Sequence, residues 1–445
     1  MPRRIIIIGG GTAGASAAFA ARKSDRTAEI TVFSSESYPT YSRCGLPFAV
    51  KGIIPSFEKL VVFPESFFRQ QKIELHKNTA VEKITPQEKA VIAGEKYNYD
   101  ALVIATGARA IKPPLRGIDA PNIFVLRTIT DAQQILQFAQ SAKSAVIVGA
   151  SFIGLELAEA LKSKGLSIIV VETVRTMWRT LDEDMGVMVT RHLGEQGIRI
   201  IENDALVKIE GTKIWFKNET VSADMVIIAA GVRPESSLAK NAGIETGQTG
   251  GLKADERMET NIKGIYTAGD CAEVNSALTG EPILIGLGTI AARQGVAAGI
   301  NAAGGDEKSP PVFNSAILKI FGMEIGTVGF TESYVSANNQ SAKYHWEKFN
   351  PVSVLIKYPS LPHYYPGGVD VYTKLIADSA THRLIGGQII SKTSLAGRVN
   401  ALSIAIEKKI TVEELSRADF CYSPPVSDVW DPLAVAAQGL LRKLK

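Results

Sequence analysis

Three cysteines occur in the chain of 445 residues, and one of them lies where reactive chemistry is expected. Cys44 follows Ser42 and Arg43 in a polar stretch, unlike the apolar surroundings typical of a structural cysteine, while Cys271 and Cys421 are distant in sequence. Such spacing fits neither a zinc site nor a disulfide framework. Arg43 and a helix start after the cysteine would both favour the thiolate, which is the reactive form. The pattern predicts one nucleophilic thiol and no metal site.

Two glycine-rich turns provide the second chemical signal. Each follows a short apolar run, residues 5–8 or 145–148, and precedes a helix and a second strand. In such turns the first glycine makes the bend, the second lets a pyrophosphate approach the backbone, and the third allows close packing of helix on strand. Because both copies have this context, they predict two dinucleotide sites, although Ser151 replaces the middle glycine of the second. The glycines concerned are Gly9, Gly11, Gly14, Gly149 and Gly154.

The residues after the second strand of each unit predict which nucleotide is bound. Glu172 ends the later unit and is placed to bind both ribose hydroxyls of an adenosine, which favours NADH over NADPH because a carboxylate repels a 2′-phosphate. Arg175, three residues on, would weaken that preference. In the earlier unit either Glu36 or Ser34 contacts the ribose, or Glu36 is simply a solvated loop residue.

The bulk composition is that of an ordinary globular protein of about three domains. Charged residues make up 21% of the chain, hydrophobic residues 45%, and the net charge is +4. This balance predicts no nucleic-acid partner and no membrane association. No apolar run approaches the ~20 residues that cross a bilayer, and the N-terminal run is too short for a signal peptide. We therefore expect a cytoplasmic protein.

Further motifs resemble those of a known family. Ala105-Thr106-Gly107 and Ala229-Ala230-Gly231 each follow a short apolar run, and Tyr266-Thr267-Ala268-Gly269-Asp270 comes later. Together with the two turns, these resemble the pyridine nucleotide–disulfide oxidoreductases over nearly the whole chain. The resemblance implies an α/β fold with two Rossmann-like domains, for FAD and NADH, and a C-terminal α+β dimerisation domain. The implied segments are 1–110 and 233–310 for FAD, 111–232 for NAD(P)H and 311–445 for dimerisation.

The resemblance also implies roles for single residues. Thr106, Gly107, Gly231 and Asp270 would belong to the nucleotide sites, with Asp270 on the ribityl chain of FAD. Phe152 would be the aromatic lid over the nicotinamide, and Glu156 the acid near nicotinamide and flavin. The alternatives from the residues alone are a core aromatic and an exposed helix glutamate.

Cys44 without a partner cysteine resembles the single-cysteine branch of the family, which includes coenzyme A-disulfide reductases and NADH oxidases. Thr12 stands where the peroxidases and water-forming oxidases have a histidine, which argues against peroxide chemistry because threonine is no acid–base group at neutral pH. Two tyrosine motifs resemble those of coenzyme A-disulfide reductases, and they assign Tyr365 and Tyr422, with Tyr364 as the alternative to Tyr365, to protonate a leaving thiolate across a homodimer. Arg22, Lys23 and Arg43 are the candidate substrate-binding residues.

Three functions follow from these motifs. The first is NADH-dependent reduction of coenzyme A disulfide, persulfide or polysulfide through FAD and Cys44. The second is an NADH oxidase that reduces oxygen, and the third is the electron-input subunit of a larger complex. Cys421 is interpreted as a buried cysteine without a role, with a second thiol as the alternative.

Overall fold

The computed structural model describes residues 1–38, 40–174, 177, 180–339 and 349–444. Its first sheet has five parallel strands, with the N-terminal strand at the centre. The isoleucines of that strand are buried, as expected for a parallel sheet covered on both faces. The strands in sheet order are Ile265–Thr267, Ala101–Ile104, Arg4–Ile8, Glu29–Phe33 and Ile73–His76.

The second sheet repeats this construction with five more parallel strands. Its central strand runs directly into the second glycine turn, as the N-terminal strand runs into the first. Each turn thus lies at the carboxyl edge of its sheet, where α/β proteins bind nucleotides. The strands in sheet order are Arg199–Ile201, Ser167–Val171, Ser144–Val148, Met225–Ile228 and Ile123–Phe124.

The third sheet is antiparallel and belongs to the C-terminal part of the chain. Helices cover one face of it and bury a separate apolar core that includes Leu402, Leu433 and Leu440. The strands in sheet order are Ala316–Ile320, Met323–Gly329, Leu384–Ser391, Asp370–Asp378 and Pro351–Pro359.

The remaining elements connect these three sheets. Short sheets are formed by Lys83–Thr85, Ala90–Ala93 and Glu95–Asn98, by Leu206–Glu210, Lys213–Phe216 and Thr220–Ser222, by Ala108–Ala110 with Val232–Pro234, and by Val274–Asn275 with Pro282–Ile283. The α-helices are Thr12–Ser24, Leu46–Lys51, Glu65–Gln70, Ile129–Ala139, Phe152–Ser163, Glu183–Glu195, Ser237–Asn241, Gly288–Ala302, Glu332–Asn339, Ala396–Glu407, Val412–Ser416 and Pro432–Leu444. Among the residues that the structure describes, no helix is long and apolar enough to span a membrane.

The predicted fold class is confirmed: two Rossmann-like units precede an α+β C-terminal unit. The sequence pattern predicts that the helices after the glycine turns begin at Ala15 and Leu155, but in the structure they begin three residues earlier, at Thr12 and Phe152. The reason is that Gly14 and Gly154 lie inside the first helical turn, where each packs against the carbonyl of the turn's first glycine. Two helices are central to the site. We call Leu46–Lys51 the cysteine helix and Phe152–Ser163 the nicotinamide helix.

Candidate active site

The first glycine turn forms an open cradle at the start of the helix Thr12–Ser24. Gly9 has a φ of +114°, and a side chain there would collide with the carbonyl oxygen of Ala105. Gly11 faces open space, with nothing within 4 Å of where a Cβ would lie, and no side chain caps the helix. Uncapped N–H groups beside such a space fit the phosphates of a dinucleotide.

Polar side chains from the neighbouring loop line the cleft in front of this turn. The cleft has an empty volume of about 200 Å³ and is lined by Gly10, Gly11, Ser34, Glu36, Tyr38, Tyr41 and Arg43. Glu36 accepts a hydrogen bond from the Tyr41 hydroxyl at 2.6 Å and forms an ion pair with Arg43. Ser34 is buried, and its Oγ accepts a hydrogen bond from the Glu36 backbone N–H. Glu36 is therefore a fixed part of the cleft rather than a solvated loop residue.

Arg43 points into this cleft and not toward an acceptor site. Besides its ion pair with Glu36, its guanidinium donates to the Arg127 carbonyl at 2.7 Å and to the Tyr41 hydroxyl at 2.9 Å. These contacts come from residues brought together by the fold, since Arg127 is 84 positions away. The guanidinium of Arg43, predicted as a substrate-binding group, thus lies in the cleft in front of the first glycine turn.

Asp270 follows the strand Ile265–Thr267 of the same sheet and is held by a residue that the sequence motifs did not reveal. Arg127 Nη2 donates to Asp270 Oδ2 at 2.6 Å, and both side chains are mostly buried. Thr106 and Gly107 lie beside them. The Thr106 hydroxyl donates to the Glu235 carbonyl at 2.6 Å, and Gly107 adopts a φ of +73°. The only sequence signal for Arg127 is its position just before Thr128, the N-cap of the helix Ile129–Ala139.

The second glycine turn is organised by Glu172. Its carboxylate accepts the backbone N–H of Ala150 and of Thr173, each at 2.8 Å, so one acid fixes both the turn and the end of its strand. The helix that begins at Phe152 has Ser151 at its N-cap, and no side chain caps it. Gly231, after the neighbouring strand, is exposed and has a φ of +102°. Arg175, expected to weaken the preference for NADH, lies outside the described residues.

The nicotinamide helix packs against the cysteine helix, although the two belong to different nucleotide-binding units. Leu46, Ala49 and Val50 share one apolar cluster with Leu155 and its neighbours on the nicotinamide helix. Phe152 is partly buried and packs against that cluster. Glu156 is also partly buried, and burial raises its pKa to about 7. The packing places the helix that follows Cys44 directly against the helix that carries Phe152 and Glu156.

Cys44 is exposed in a short 3₁₀ turn, Arg43–Gly45, directly before the cysteine helix. The sequence predicted that Arg43 favours the thiolate, but the Arg43 guanidinium is paired with Glu36 instead. Desolvation by the surrounding protein raises the pKa of the Cys44 thiol, and the charges of Glu156 and Asp270 raise it further, whereas Arg127 and a backbone hydrogen bond at Cys44 lower it. The physical reason is that Arg43, adjacent in sequence, is engaged by Glu36, whereas the acids come from distant parts of the chain.

The match to known proteins covers both parts of this architecture. Residues 3–295 match the pyridine nucleotide-disulphide oxidoreductase family, and residues 315–434 match the dimerisation domain of that family. The chain belongs to this family. It is 38% identical to the NADH oxidase of Methanocaldococcus jannaschii, over 99% of both chains. It is 33% identical to the NAD(P)H sulfur oxidoreductase (CoA-dependent) of Pyrococcus furiosus, over 98% of this chain and 99% of the relative.

A solved structure shows the same similarity in three dimensions. The NAD-dependent persulfide reductase from A. fulgidus superposes with a TM-score of 0.94 at 34% identity, over 99% of this chain and 83% of the other. The protein is thus an oxidoreductase that uses FAD and NAD(P)H. The two uncapped glycine turns described above fit two such dinucleotides.

The tyrosine motifs of the oxidoreductase converge on the surface of its C-terminal unit. The hydroxyls of Tyr364 and Tyr422 lie 2.7 Å apart in a hydrogen bond, and this contact raises the pKa of Tyr364. Tyr365, the residue preferred from the sequence, is less exposed than Tyr364 and its backbone N–H bonds to the Pro362 carbonyl. The structure therefore pairs Tyr422 with Tyr364. Cys421 is exposed, so its interpretation as a buried cysteine is wrong.

The two basic residues at the end of the helix Thr12–Ser24 differ in their surroundings. Arg22 donates to four backbone carbonyls, those of Gln71, Lys72, Asp25 and Arg26, at 2.8–3.3 Å. Only one of its five N–H donors then remains for a substrate phosphate. Lys23 is exposed and is the stronger candidate of the two.

Proposed function

We propose that the enzyme uses NADH to reduce a small disulfide, persulfide or polysulfide, of which coenzyme A disulfide is one form, with Cys44 as the redox thiol. The observation that carries the proposal is the position of Cys44. It is exposed at the start of a helix that packs directly on the nicotinamide helix. Cys271 is fully buried, and Cys421 lies in the C-terminal unit. A cysteine without a neighbour must form its disulfide with the substrate.

Residues of this chain supply the nucleophile, the two cofactor sites and the proton donor. The Cys44 thiolate attacks one sulfur of the acceptor, the acceptor's sulfur–sulfur bond breaks, and a mixed disulfide forms on Cys44. The leaving thiolate takes a proton from a tyrosine hydroxyl. FAD, when bound beside Cys44, would supply the chemistry that takes a hydride from NADH and returns two electrons to the mixed disulfide, which releases the second thiolate and regenerates the Cys44 thiolate. We assign FAD to the first glycine turn with Glu36, Arg43, Asp270 and Thr106, and NADH to the second with Glu172.

A homodimer completes this proposal. Tyr364 and Tyr422 are exposed together with Val426, Val429 and Trp430, which are 69%, 56% and 52% accessible. Exposed aromatic and aliphatic side chains of this kind are typical of an interface core. The match of residues 315–434 to a dimerisation domain supports a second copy of the chain as the occupant. We infer that the tyrosine pair of one subunit reaches the Cys44 of the other.

The experiment is a comparison of acceptors under anaerobic and aerobic conditions. NADH oxidation and thiol release are measured with coenzyme A disulfide, coenzyme A persulfide and polysulfide, for the native enzyme, Cys44→Ser and Cys421→Ser. Cys44→Ser should lose thiol release by at least about 10³-fold, because serine is not a nucleophile at neutral pH without a base. It should still reduce ferricyanide with NADH. Cys421→Ser should behave as the native enzyme, and full thiol release by Cys44→Ser would contradict the proposal.

An NADH oxidase is the second candidate, and the 38% identity to the Methanocaldococcus jannaschii NADH oxidase favours it. In that case oxygen consumption would equal NADH oxidation and would survive in Cys44→Ser. The absence of a histidine at position 12 argues against oxidase chemistry that needs an acid–base group beside the cysteine.

A further inference from the structure

A row of three polar side chains crosses the C-terminal sheet. Thr327, Gln388 and Lys374 lie on three adjacent strands and are paired directly in register. None of them is more than 5% exposed. The residue that follows each one packs in the helix-covered core, and successive side chains of a strand alternate between the two faces of a sheet. These three residues, which we call the polar row, therefore point away from the helices.

The polar row contacts the chain around Asp182, in the unit that contains the second glycine turn. The Thr327 hydroxyl donates to the Thr180 carbonyl at 3.2 Å. Gln388 Oε1 accepts the backbone N–H of Asp182 at 2.9 Å, and Gln388 Nε2 donates to Asp182 Oδ2 at 2.7 Å. Lys374 Nζ lies 3.3 Å from the same carboxylate oxygen. The row thus holds both the backbone and the side chain of this short stretch.

The carboxylate of Asp182 has further donors from the start of the helix Glu332–Asn339. It accepts the backbone N–H of Ser333 at 2.9 Å, the Ser333 hydroxyl at 2.7 Å and the backbone N–H of Glu332 at 3.1 Å. Asp182 is 3% exposed, so water does not replace these donors easily. A buried carboxylate with donors on both oxygens cannot move without leaving some of them unsatisfied. Asp182 is therefore a fixed point between the two units.

This fixed point ends the chain segment that begins at Glu172. One end of the segment is held at the second glycine turn, where Glu172 accepts two backbone N–H groups, and the other end is held on the C-terminal sheet. Between the ends, Met177 and Leu181 are 5% and 2% exposed and belong to an apolar cluster that includes Ile325 of that sheet. The C-terminal unit therefore fixes the far end of a segment whose near end carries the proposed ribose acid.

We propose that Gln388 and Thr327 are positioning residues for the NADH site: the C-terminal sheet holds the segment after Glu172 in the arrangement that binds the nucleotide. The physical basis is that a segment ordered in advance spares the nucleotide the free energy of ordering it. The inference rests on the proposed assignment of NADH to the second glycine turn with Glu172. It deepens that assignment, because it gives the C-terminal unit a part in nucleotide affinity.

The test compares NADH kinetics and NAD⁺ binding of the holoenzyme in its native form and as Gln388→Met and Thr327→Val. Methionine keeps the length of the glutamine side chain and removes both of its hydrogen bonds. With ferricyanide as acceptor, KM for NADH should rise about tenfold in Gln388→Met and about threefold in Thr327→Val, while kcat stays within about twofold. The dissociation constant of NAD⁺, measured by isothermal titration calorimetry, should rise by the same factors. KM for NADPH should rise in proportion, because Glu172 keeps the contacts within its own unit.

The matched control is Ser391→Ala, on the same strand as Gln388. Ser391 is 3% exposed, and its hydroxyl donates to the Asp370 carbonyl at 2.7 Å, a hydrogen bond that stays within the C-terminal unit. This variant should lower the melting temperature about as much as Thr327→Val and leave KM for NADH unchanged. An equal rise of KM in the control would overturn the proposal, because general loosening of the sheet would then be the cause.

Variants of the polar row that fold but leave both constants unchanged would also overturn it. Thr327→Val removes a single hydroxyl, so it decides the question if Gln388→Met does not fold. Ferricyanide reduction and NAD⁺ binding need no sulfur acceptor, so these outcomes are independent of the reaction proposed for Cys44. If Glu172→Gln alters nucleotide selection while the row variants have no effect, the NADH site stands and only the role of the polar row fails.

Discussion

At the scale of single residues, we propose that Glu172 combines a structural contact with selection of the nucleotide. Its carboxylate accepts N–H groups from Ala150 and Thr173, so its charge is fixed at the end of the strand Ser167–Val171, which is where we propose that the adenosine ribose binds. A fixed negative charge opposes a 2′-phosphate more strongly than a mobile one.

We expect Glu172→Gln to narrow the preference for NADH over NADPH by about tenfold, the effect of ~1.4 kcal/mol of charge repulsion. The glutamine oxygen can still accept the Ala150 N–H, so the turn should persist. The measurement is kcat/KM for both nucleotides with ferricyanide as acceptor. A native enzyme that prefers NADPH would show that the role of Glu172 is misassigned.

The raised pKa of Glu156 also predicts how stability depends on pH. The carboxyl is protonated in folded and unfolded chains below about pH 4.5, and as the pH rises through about 7 the folded protein must ionise it in a partly buried position. The neutral carboxyl therefore stabilises the folded protein at low pH, and this stabilisation is lost as the pH rises from about 4.5 to about 7. The melting temperature of Glu156→Gln should equal that of the native enzyme near pH 5 and exceed it at pH 8. A difference in melting temperature that does not change with pH would contradict the raised pKa of Glu156.

At the scale of elements, a buried charge network joins the nucleotide-binding part of the chain to the C-terminal sheet. Lys374, on the strand Asp370–Asp378, is 5% exposed and lies 3.3 Å from Asp182, 3.0 Å from Asp184 and 3.2 Å from Glu332. Asp182 is further held by Gln388 Nε2 at 2.7 Å. The network fixes the start of the helix Glu183–Glu195 against the sheet.

Removal of the cation should leave the carboxylate of Asp182, which is 3% exposed, buried without its ion-pair partner. We expect Lys374→Met to reduce the free energy of unfolding by ~3–5 kcal/mol, as measured by urea denaturation. The control is Lys357→Met. Lys357 forms a pair of similar length, 2.9 Å to Asp370, but both side chains are about half exposed. That variant should reduce the free energy of unfolding by less than ~1 kcal/mol. Equal losses in the two variants would mean that burial does not determine the strength of the network.

At the scale of the whole molecule, the prediction concerns sites completed by two subunits. If the tyrosines act in trans, a mixed dimer of Cys44→Ser and Tyr364→Phe/Tyr422→Phe contains one fully native site and one inactive site. The double phenylalanine variant alone should lose about 10²–10⁴-fold in thiol release, the usual effect of losing a proton donor.

Equimolar mixing after subunit exchange should therefore restore about a quarter of native activity, because half of the dimers are mixed and each has one active site. Thiol release and the dimer content by analytical ultracentrifugation are measured on the same samples. If the tyrosines act within their own subunit, or if the enzyme is a monomer, mixing should restore nothing.

The sequence by itself determined the features that depend on neighbouring residues. The two strand–turn–helix units, the isolation of Cys44 and the acid at the end of the strand Ser167–Val171 are local patterns, because a turn needs its glycines and a parallel strand its apolar run. These patterns were sufficient for the two Rossmann-like units, whereas the α+β C-terminal unit was implied by the resemblance to the family, whose match covers both parts.

Only the tertiary structure decided where the long polar side chains point. Arg43 pairs with Glu36 and not with the thiol beside it, and Arg22 is committed to backbone carbonyls up to 50 positions away. Arg127 was found through its contact with Asp270, 143 positions away, and Tyr364 through its hydroxyl contact with Tyr422. A flexible side chain pairs with the group that best compensates its charge or its hydrogen-bonding atoms. Folding brings that group close, so the spacing of residues in the sequence does not predict the pair.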